Sequence, residues 1–262
     1  SGKTEMRKIL SYDEIKSNAE KIKQQIAKFI DFSNDSAILL DNAEWLANLN
    51  YIDFLREIGR HFSVNRMLSF EAYKLRLETG LSFIEFNYQL LQSYDFLVLN
   101  QKYGCEMQIG GDDQWGNIVA GIELIRKLES ADCFGLTFNL ITRADGHKMG
   151  KSEKGAVFLD PQLFSPYDFF QYWRNVNDAD VIRFMKLFTF LPLEEIAGYE
   201  KPGVNINEAK ERLAFEQTRI IHGEEEAQRA RDAARSMFGG ALASEAKEGL
   251  PTLTIDVARL ES

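Results

Sequence analysis

No stretch of the chain approaches the run of about eighteen apolar residues that a membrane-spanning helix requires, and no signal-peptide pattern is visible over its first residues. Cysteine is scarce. Cys105 and Cys133 are too few for a disulfide framework and lack metal-ligand spacing. Both open apolar segments predicted as strands, so buried free thiols in a reducing cytoplasm are expected. Proline is absent from the first part of the chain: five occur, all at or after Pro161, which marks a change of organisation there. An excess of positive charge is missing too. The net charge of −9 argues against nonspecific nucleic-acid binding while leaving room for a local basic face. Nor is the low hydrophobicity of a disordered chain found, since 45% of the 262 residues are hydrophobic, ample for one or two domains.

What is present before Pro161 is an alternation of helical and strand patterns. Ser11-Tyr12-Asp13-Glu14 is a capping box opening a helix to about Ile30. Ser36 to Leu40 reads as a strand, and Glu44 to Phe62 as a helix broken at Asn48-Leu49-Asn50. A long helix from Phe83 to about Tyr103, a strand from Cys105 to Ile109, a helix from about Trp115 to Leu128 and a strand from Phe134 to Ile141 follow. Such alternation predicts an α/β fold with a doubly wound, Rossmann-like parallel sheet. From Ser165 onward the patterns are helical only. Phe169, Trp173, Ile182, Phe184 and Met185 supply apolar faces, and helices from Asn207 to about Ile221 and from Glu224 to Phe238 complete a small bundle. Gly239-Gly240 and the Ala, Ser and Glu residues up to Gly249 have linker composition. The expected organisation is residues 1–160 as the α/β part, 161–240 as an α-helical domain and 241–262 as a linker.

Two segments carry the chemistry. Met107-Gln108-Ile109-Gly110-Gly111-Asp112-Asp113-Gln114-Trp115-Gly116-Asn117 reads as a buried strand, a double glycine and the first turn of a helix, where an α/β sheet binds ligands. Glycine lets the backbone come against sugar or phosphate. The two aspartates suit either a ligand site or an ordinary helix start. Further on, Asp145-Gly146-His147-Lys148-Met149-Gly150-Lys151-Ser152 sets two lysines in a glycine-punctuated loop. That suits a clamp on a polyphosphate whose negative charge grows as a bond breaks, although such lysines also occur as solvated loop charges.

A polar stripe supplies a third element. Tyr88, Gln92 and Asp95 fall at i, i+4 and i+7 on the long helix, among Phe83, Phe86, Leu90, Leu91 and Leu97. Buried side chains of this kind need polar partners, supplied either by a network inside the core or by a ligand.

The strand-end Gly-Gly-x-Asp-Gln and the Lys-Met-Gly-Lys-Ser loop together resemble the tyrosyl-tRNA synthetases, class I enzymes whose signature loop has the form Lys-Met-Ser-Lys-Ser. The resemblance runs from Ser1 to about Gly239 and includes Ser165-Pro166-Tyr167 and Phe188-Thr189-Phe190-Leu191. It implies ATP-dependent activation of L-tyrosine to tyrosyl-adenylate and transfer to tRNA(Tyr), with Mg²⁺ accompanying ATP and no tightly bound cofactor. By the same resemblance Tyr88 and Gln92 lie near the tyrosine ammonium, Asp95 accepts the phenolic hydrogen, and Gln114 lies beside the carboxylate. Asn42 assists beneath the pocket, its other reading being a helix cap. Gly111 and Asp113 match ribose contacts, and the backbone at Leu140 and Ile141 matches the adenine edge. Lys148 and Lys151 match the groups closing over the pyrophosphate, assisted by Ser152, while Lys3 and Arg7 match a second loop near the phosphates. Asn139 departs from the family, standing where proline is usual, and so does Asp112, where serine is frequent.

The family's His-Ile-Gly-His motif finds no counterpart in His61, His147 or His222. The chain is therefore expected to be a fragment lacking that segment and a C-terminal RNA-binding domain, weakly active or inactive alone. A cytoplasmic homodimer is implied, with Tyr51, Phe54, Leu55, Phe62, Met67 and Phe83 as apolar surface for the second copy or as core. Three other readings stand beside this one. The first is a tryptophanyl-tRNA synthetase-like enzyme. The second is a noncatalytic module binding tRNA or a partner, with Arg212, Arg219, Arg229, Arg231 and Arg235 as an RNA-facing patch or a solvated helix surface. In the third, Ser1-Gly2-Lys3-Thr4 is the tail of a phosphate-binding loop.

Overall fold

The structure, a computed structural model, describes residues 10–152 and 155–238. In chain order its elements begin with α1 (Tyr12–Ile26), α2 (Ala43–Leu46), α3 (Tyr51–Glu57), α4 (Val64–Ser69), α5 (Glu71–Thr79) and α6 (Phe83–Tyr103). Then come β1 (Met107–Gly111), α7 (Trp115–Glu129), β2 (Phe134–Phe138), β3 (Lys151–Ser152) and β4 (Gly155–Ala156). The helices α8 (Pro166–Arg174), α9 (Asp178–Phe188), α10 (Leu193–Tyr199), α11 (Ile206–His222) and α12 (Glu224–Phe238) complete the described chain. Contacts divide it into two units, one running from Leu39 to Ile141 and the other combining the residues up to Ile38 with those from Thr142 onward. By contacts the lysine-bearing loop, from Thr142 onward, groups with the helices that follow it.

In the unit from Leu39 to Ile141, β1 and β2 pair in parallel, Ile109 opposite Leu136 and Gly111 opposite Phe138. The helix between them makes this a βαβ unit. Pleating sorts the side chains by face. Gly135 turns toward α7, where a Cβ would come 2.6 Å from Ile118 Cγ2, so only glycine lets helix and sheet approach this closely. On the opposite face Met107, Ile109, Phe134, Leu136 and Phe138 are all exposed.

Helices α6 and α7 pack along one another, with Gly121 accepting the Phe96 ring at the distance a Cβ would need. Around this contact Leu90, Phe96, Leu97, Leu124 and Ile125 form the core with Phe54 and Met67. Phe54 and Met67 are thus interior, whereas Tyr51 and Phe83 are exposed. Cys133 is buried and Cys105 half-buried, and both are free thiols.

The segment Ser36–Leu40 is not a strand. A 3-10 turn occupies Ser33–Asp35, Ile38 and Leu39 are exposed, and no described strand offers a ladder partner. Apolar composition alone does not make a strand where backbone N–H and C=O groups lack a neighbour. The helix read over Glu44 to Phe62 divides where expected, Asn50 capping α3 through bonds from the backbone N–H groups of Ile52 and Asp53.

In the other unit, α8, α9, α11 and α12 form a bundle. Ala227, Ala230, Ala233 and Ala234 line one face of α12, small enough to bring it close to its neighbours, and Phe169, Phe170, Phe184, Met185 and Leu213 fill the interior. Trp173 sits between Phe184 and Phe188 in edge-on contacts.

Candidate active site

The polar stripe expected on the amino-acid side stands on α6. Its start is fixed by a capping box: Ser82 Oγ accepts from Glu85 N at 3.3 Å, and Glu85 Oε2 accepts from Ser82 N at 3.0 Å. Its end is Gly104 at φ 64, the left-handed conformation that glycine adopts most readily. Between them Leu90, Phe96 and Leu97 turn inward, while Tyr88 is exposed and Gln92 and Asp95 are half-buried.

Asp95 is gripped at both oxygens. Trp45 Nε1 donates to Oδ1 at 2.7 Å and Asn42 Nδ2 donates to Oδ2 at 3.1 Å. Asn42 makes no capping bond to α2, so its amide serves the carboxylate and not the helix end. A carboxylate offers about four acceptor positions. Two are used here, so the fixed oxygens can still accept from a hydroxyl. Trp45 is the partner that sequence alone did not identify. Its sole signal is the i, i+3 spacing from Asn42, which puts both donors on one short turn.

β1 ends at Gly111, two residues beyond the strand read from the sequence, and Met107 and Ile109 are exposed where a buried strand was expected, because no described element covers that face of the two-stranded sheet. After β1 comes a 3-10 turn over Asp112–Gln114, leading directly into α7. A Cβ on Gly111 would lie 2.6 Å from Asp113 Oδ1, so the aspartate carboxylate occupies the space that glycine leaves. Gln114 Nε2 donates to Asp113 Oδ2 and Gln114 Oε1 accepts from Asn117 Nδ2, each at 3.1 Å. These bonds order an exposed carboxylate and a half-buried amide at the strand's carboxyl end. Leu140 and Ile141 follow β2 outside the ladder, because pairing stops at Phe138, one residue before Asn139.

The lysine-bearing loop lies in the second unit. Its base is a bridge between Thr142 and Lys148. Within it Arg143 N donates to His147 O at 2.8 Å and Gly146 N donates to Arg143 O at 2.9 Å, with Gly146 at φ 80. Asp145 Oδ1 accepts from His147 N at 2.9 Å, and this backbone bond, helped by the Arg143 charge, holds the Asp145 carboxyl below the usual range. Lys148 is exposed. Lys151 and Ser152 form β3 against Gly155 and Ala156, but their side chains, like Lys3, Arg7 and residues 241–262, lie outside the described residues.

The arginines proposed as an RNA-facing patch are mostly engaged. Arg212 pairs with Glu195 and Glu216, Arg219 with Glu216, Arg229 with Glu226 and Arg235 with Glu211. Arg231 instead lies over the Phe215 ring. This is the pattern of a salt-bridged helix surface. No described helix is long and apolar enough to cross a membrane.

The family model of tRNA synthetases class I (W and Y) matches residues 1–239. The tyrosine–tRNA ligase of Treponema denticola is 62% identical over 260 residues, covering 99% of this chain and 63% of that protein. That of Clostridium kluyveri is 56% identical over 261 residues, covering 99% of this chain and 64% of that protein. The chain thus spans less than two thirds of the length of these relatives. Among solved structures, the C-terminally truncated mitochondrial tyrosyl-tRNA synthetase of Aspergillus nidulans superposes with a TM-score of 0.70 at 25% identity, over 90% of this chain and 72% of that one. Its counterpart from Coccidioides posadasii gives 0.66 at 26% identity, over 85% of this chain and 68% of that one. The chain belongs to the class I tRNA synthetases of the W and Y family.

Proposed function

We propose that this chain carries the tyrosine-selecting and ATP-handling parts of a tyrosine–tRNA ligase, which activates L-tyrosine to tyrosyl-adenylate and transfers it to tRNA(Tyr). The observation that carries the reading is the Asp95 carboxylate, held by Trp45 and Asn42 on a mostly apolar helix. A substrate without a hydroxyl would leave that acceptor without its third donor, and an unmet polar group costs more than one never built. The names of the relatives agree. Tyr88 and Gln92 receive the substrate ammonium and Gln114 lies beside its carboxylate.

In the reaction that carboxylate attacks the α-phosphorus of ATP, and the bond from phosphorus to the β-bridging oxygen breaks as pyrophosphate leaves. No side-chain nucleophile is needed. Catalysis is positioning and charge stabilisation. Gly111 and Asp113 take the ribose, the backbone of Leu140 and Ile141 the adenine edge, and Lys148 and Lys151 with Ser152 the leaving pyrophosphate. Mg²⁺ accompanying ATP would offset charge on its phosphates. The adenylate is then attacked by the 3′-terminal ribose of the tRNA. In this reading residues 1–160 serve catalysis, 161–240 the RNA side, and the enzyme is a cytoplasmic homodimer joined through exposed apolar residues such as Tyr51 and Phe83.

The test is tyrosine-dependent ATP–pyrophosphate exchange by the polypeptide carrying this sequence. Exchange that needs tyrosine, ignores tryptophan and falls by roughly a hundredfold in Lys148→Ala supports the reading. Exchange driven by tryptophan instead would shift the assignment to a tryptophanyl enzyme, since a carboxylate also accepts from an indole N–H.

A further inference from the structure

The lysine-bearing loop is tied to the helices that follow it at three points. At its entry Arg183 on α9 donates to the carbonyl of Thr142 and, at 2.8 Å, to Asp180 Oδ1. One turn earlier on α9, Asp180 Oδ2 accepts from the backbone N–H of Ala144 at 2.7 Å. At its exit the Tyr172 hydroxyl on α8 accepts from Gly150 N at 3.3 Å and donates to Met149 Sδ at 3.2 Å. Lys148 therefore lies between two anchored ends, next to the exit anchor.

Asp180 is 1% exposed. Burying a carboxylate is costly unless it is paired and fully hydrogen-bonded, and the partners here are Arg183 and a loop amide. Helix stability alone does not require this. A capping role at the start of α9 is already filled by Asn177, whose side chain accepts from Ala179 N at 3.0 Å. The buried carboxylate is thus spent on the loop. The half-buried Tyr172 similarly puts one hydroxyl against the loop's Gly150, which sits at φ 90 and can accept no ordinary side chain without strain.

We propose that Tyr172, Asp180 and Arg183 are positioning residues for Lys148, fixing both ends of its loop on the helical bundle so that the ammonium meets the phosphates from one direction. This rests on the adenylate-forming reading above. Each acts through the loop: Arg183 and Asp180 through its backbone, Tyr172 through the Gly150 backbone and the Met149 side chain.

Tyr172→Phe removes one hydroxyl and leaves the ring packed. Two readouts follow in the polypeptide carrying this sequence. The first needs no activity: amide hydrogen exchange at Gly150 speeds up by about tenfold in Tyr172→Phe, and at Ala144 in Asp180→Asn, while core amides of α11 are unchanged. The second is kinetic: kcat for pyrophosphate exchange falls by about fivefold in Tyr172→Phe, with KM for tyrosine unchanged. That penalty vanishes in a Lys148→Ala background, because misplacing a side chain that is absent has no effect. A full additive penalty in Lys148→Ala, or unchanged exchange at Gly150, overturns the proposal. If Asp180→Asn fails to fold, Tyr172→Phe alone decides. If the wild type neither forms adenylate nor binds L-tyrosine by calorimetry, the functional reading fails, and loop-amide exchange decides whether the anchors hold.

Discussion

Trp45 Nε1 lies 2.7 Å from Asp95 Oδ1, joining a short turn near the start of one unit to the long helix that spans it. With Asn42 on the second oxygen, the carboxylate cannot rotate without giving up a donor. A charge-assisted bond of this kind contributes about 1.5–3 kcal/mol when buried and less at a half-open site. Trp45→Phe keeps the apolar body and removes the N–H. Tyrosine affinity is expected to fall about fivefold to tenfold by calorimetry, with a smaller preference over phenylalanine. Equal affinities in variant and wild type would show that Asp95 needs no such support.

The first turn of the same helix is sensitive to acid. Bonds from the Ser82 backbone and hydroxyl, aided by Arg76, lower the Glu85 carboxyl from 4.5 to about 2. Its folded-state value is depressed, so its contribution is full above the ordinary glutamate range and is lost as pH falls toward 2. Carboxyl NMR titration should place the Glu85 midpoint far below that of the other glutamates. In Glu85→Gln the low-pH fraying of α6 should no longer depend on pH. A Glu85 midpoint in the ordinary range would refute the capping box as its cause.

In the helical unit the dependence sits near neutrality. His222, the last residue of α11, lies edge-on to Phe169 at 5.1 Å, and burial, followed by the Lys28 charge, lowers its basicity against a smaller opposing effect of Glu226. The native state resists the proton and the unfolded chain takes it below about 6.5. Stability is therefore full above the usual imidazole range and declines as pH drops through it. Thermal unfolding from pH 8 to pH 5 should show that decline, and His222→Phe should flatten it. An unchanged slope in the variant would assign the effect elsewhere.

Local signals made the long helix legible: a capping box at Ser82, a glycine at position 104 and apolar residues between them. The glycine-rich turn after β1 was legible for a similar reason, since Gly111 leaves space that only the neighbouring aspartate fills. Ser36 to Leu40 misled because its apolar residues imply burial, and a strand exists only where another chain segment completes its ladder. The Trp45 contact depends on the tertiary placement of a four-residue helix, which no periodicity encodes. The loop lysines showed in the sequence as a motif. Their anchors on Tyr172, Asp180 and Arg183 did not, because a buried aspartate at a helix start reads locally as dipole chemistry.

The central claim is that Asp95, fixed by Trp45 and Asn42, selects a phenol. Calorimetry of L-tyrosine and L-phenylalanine on wild type and Asp95→Asn tests it most directly. The expected result is a wild-type preference for tyrosine of roughly a hundredfold or more that collapses to about tenfold or less in the variant, through lost tyrosine affinity. A preference that survives unchanged in Asp95→Asn would contradict the account.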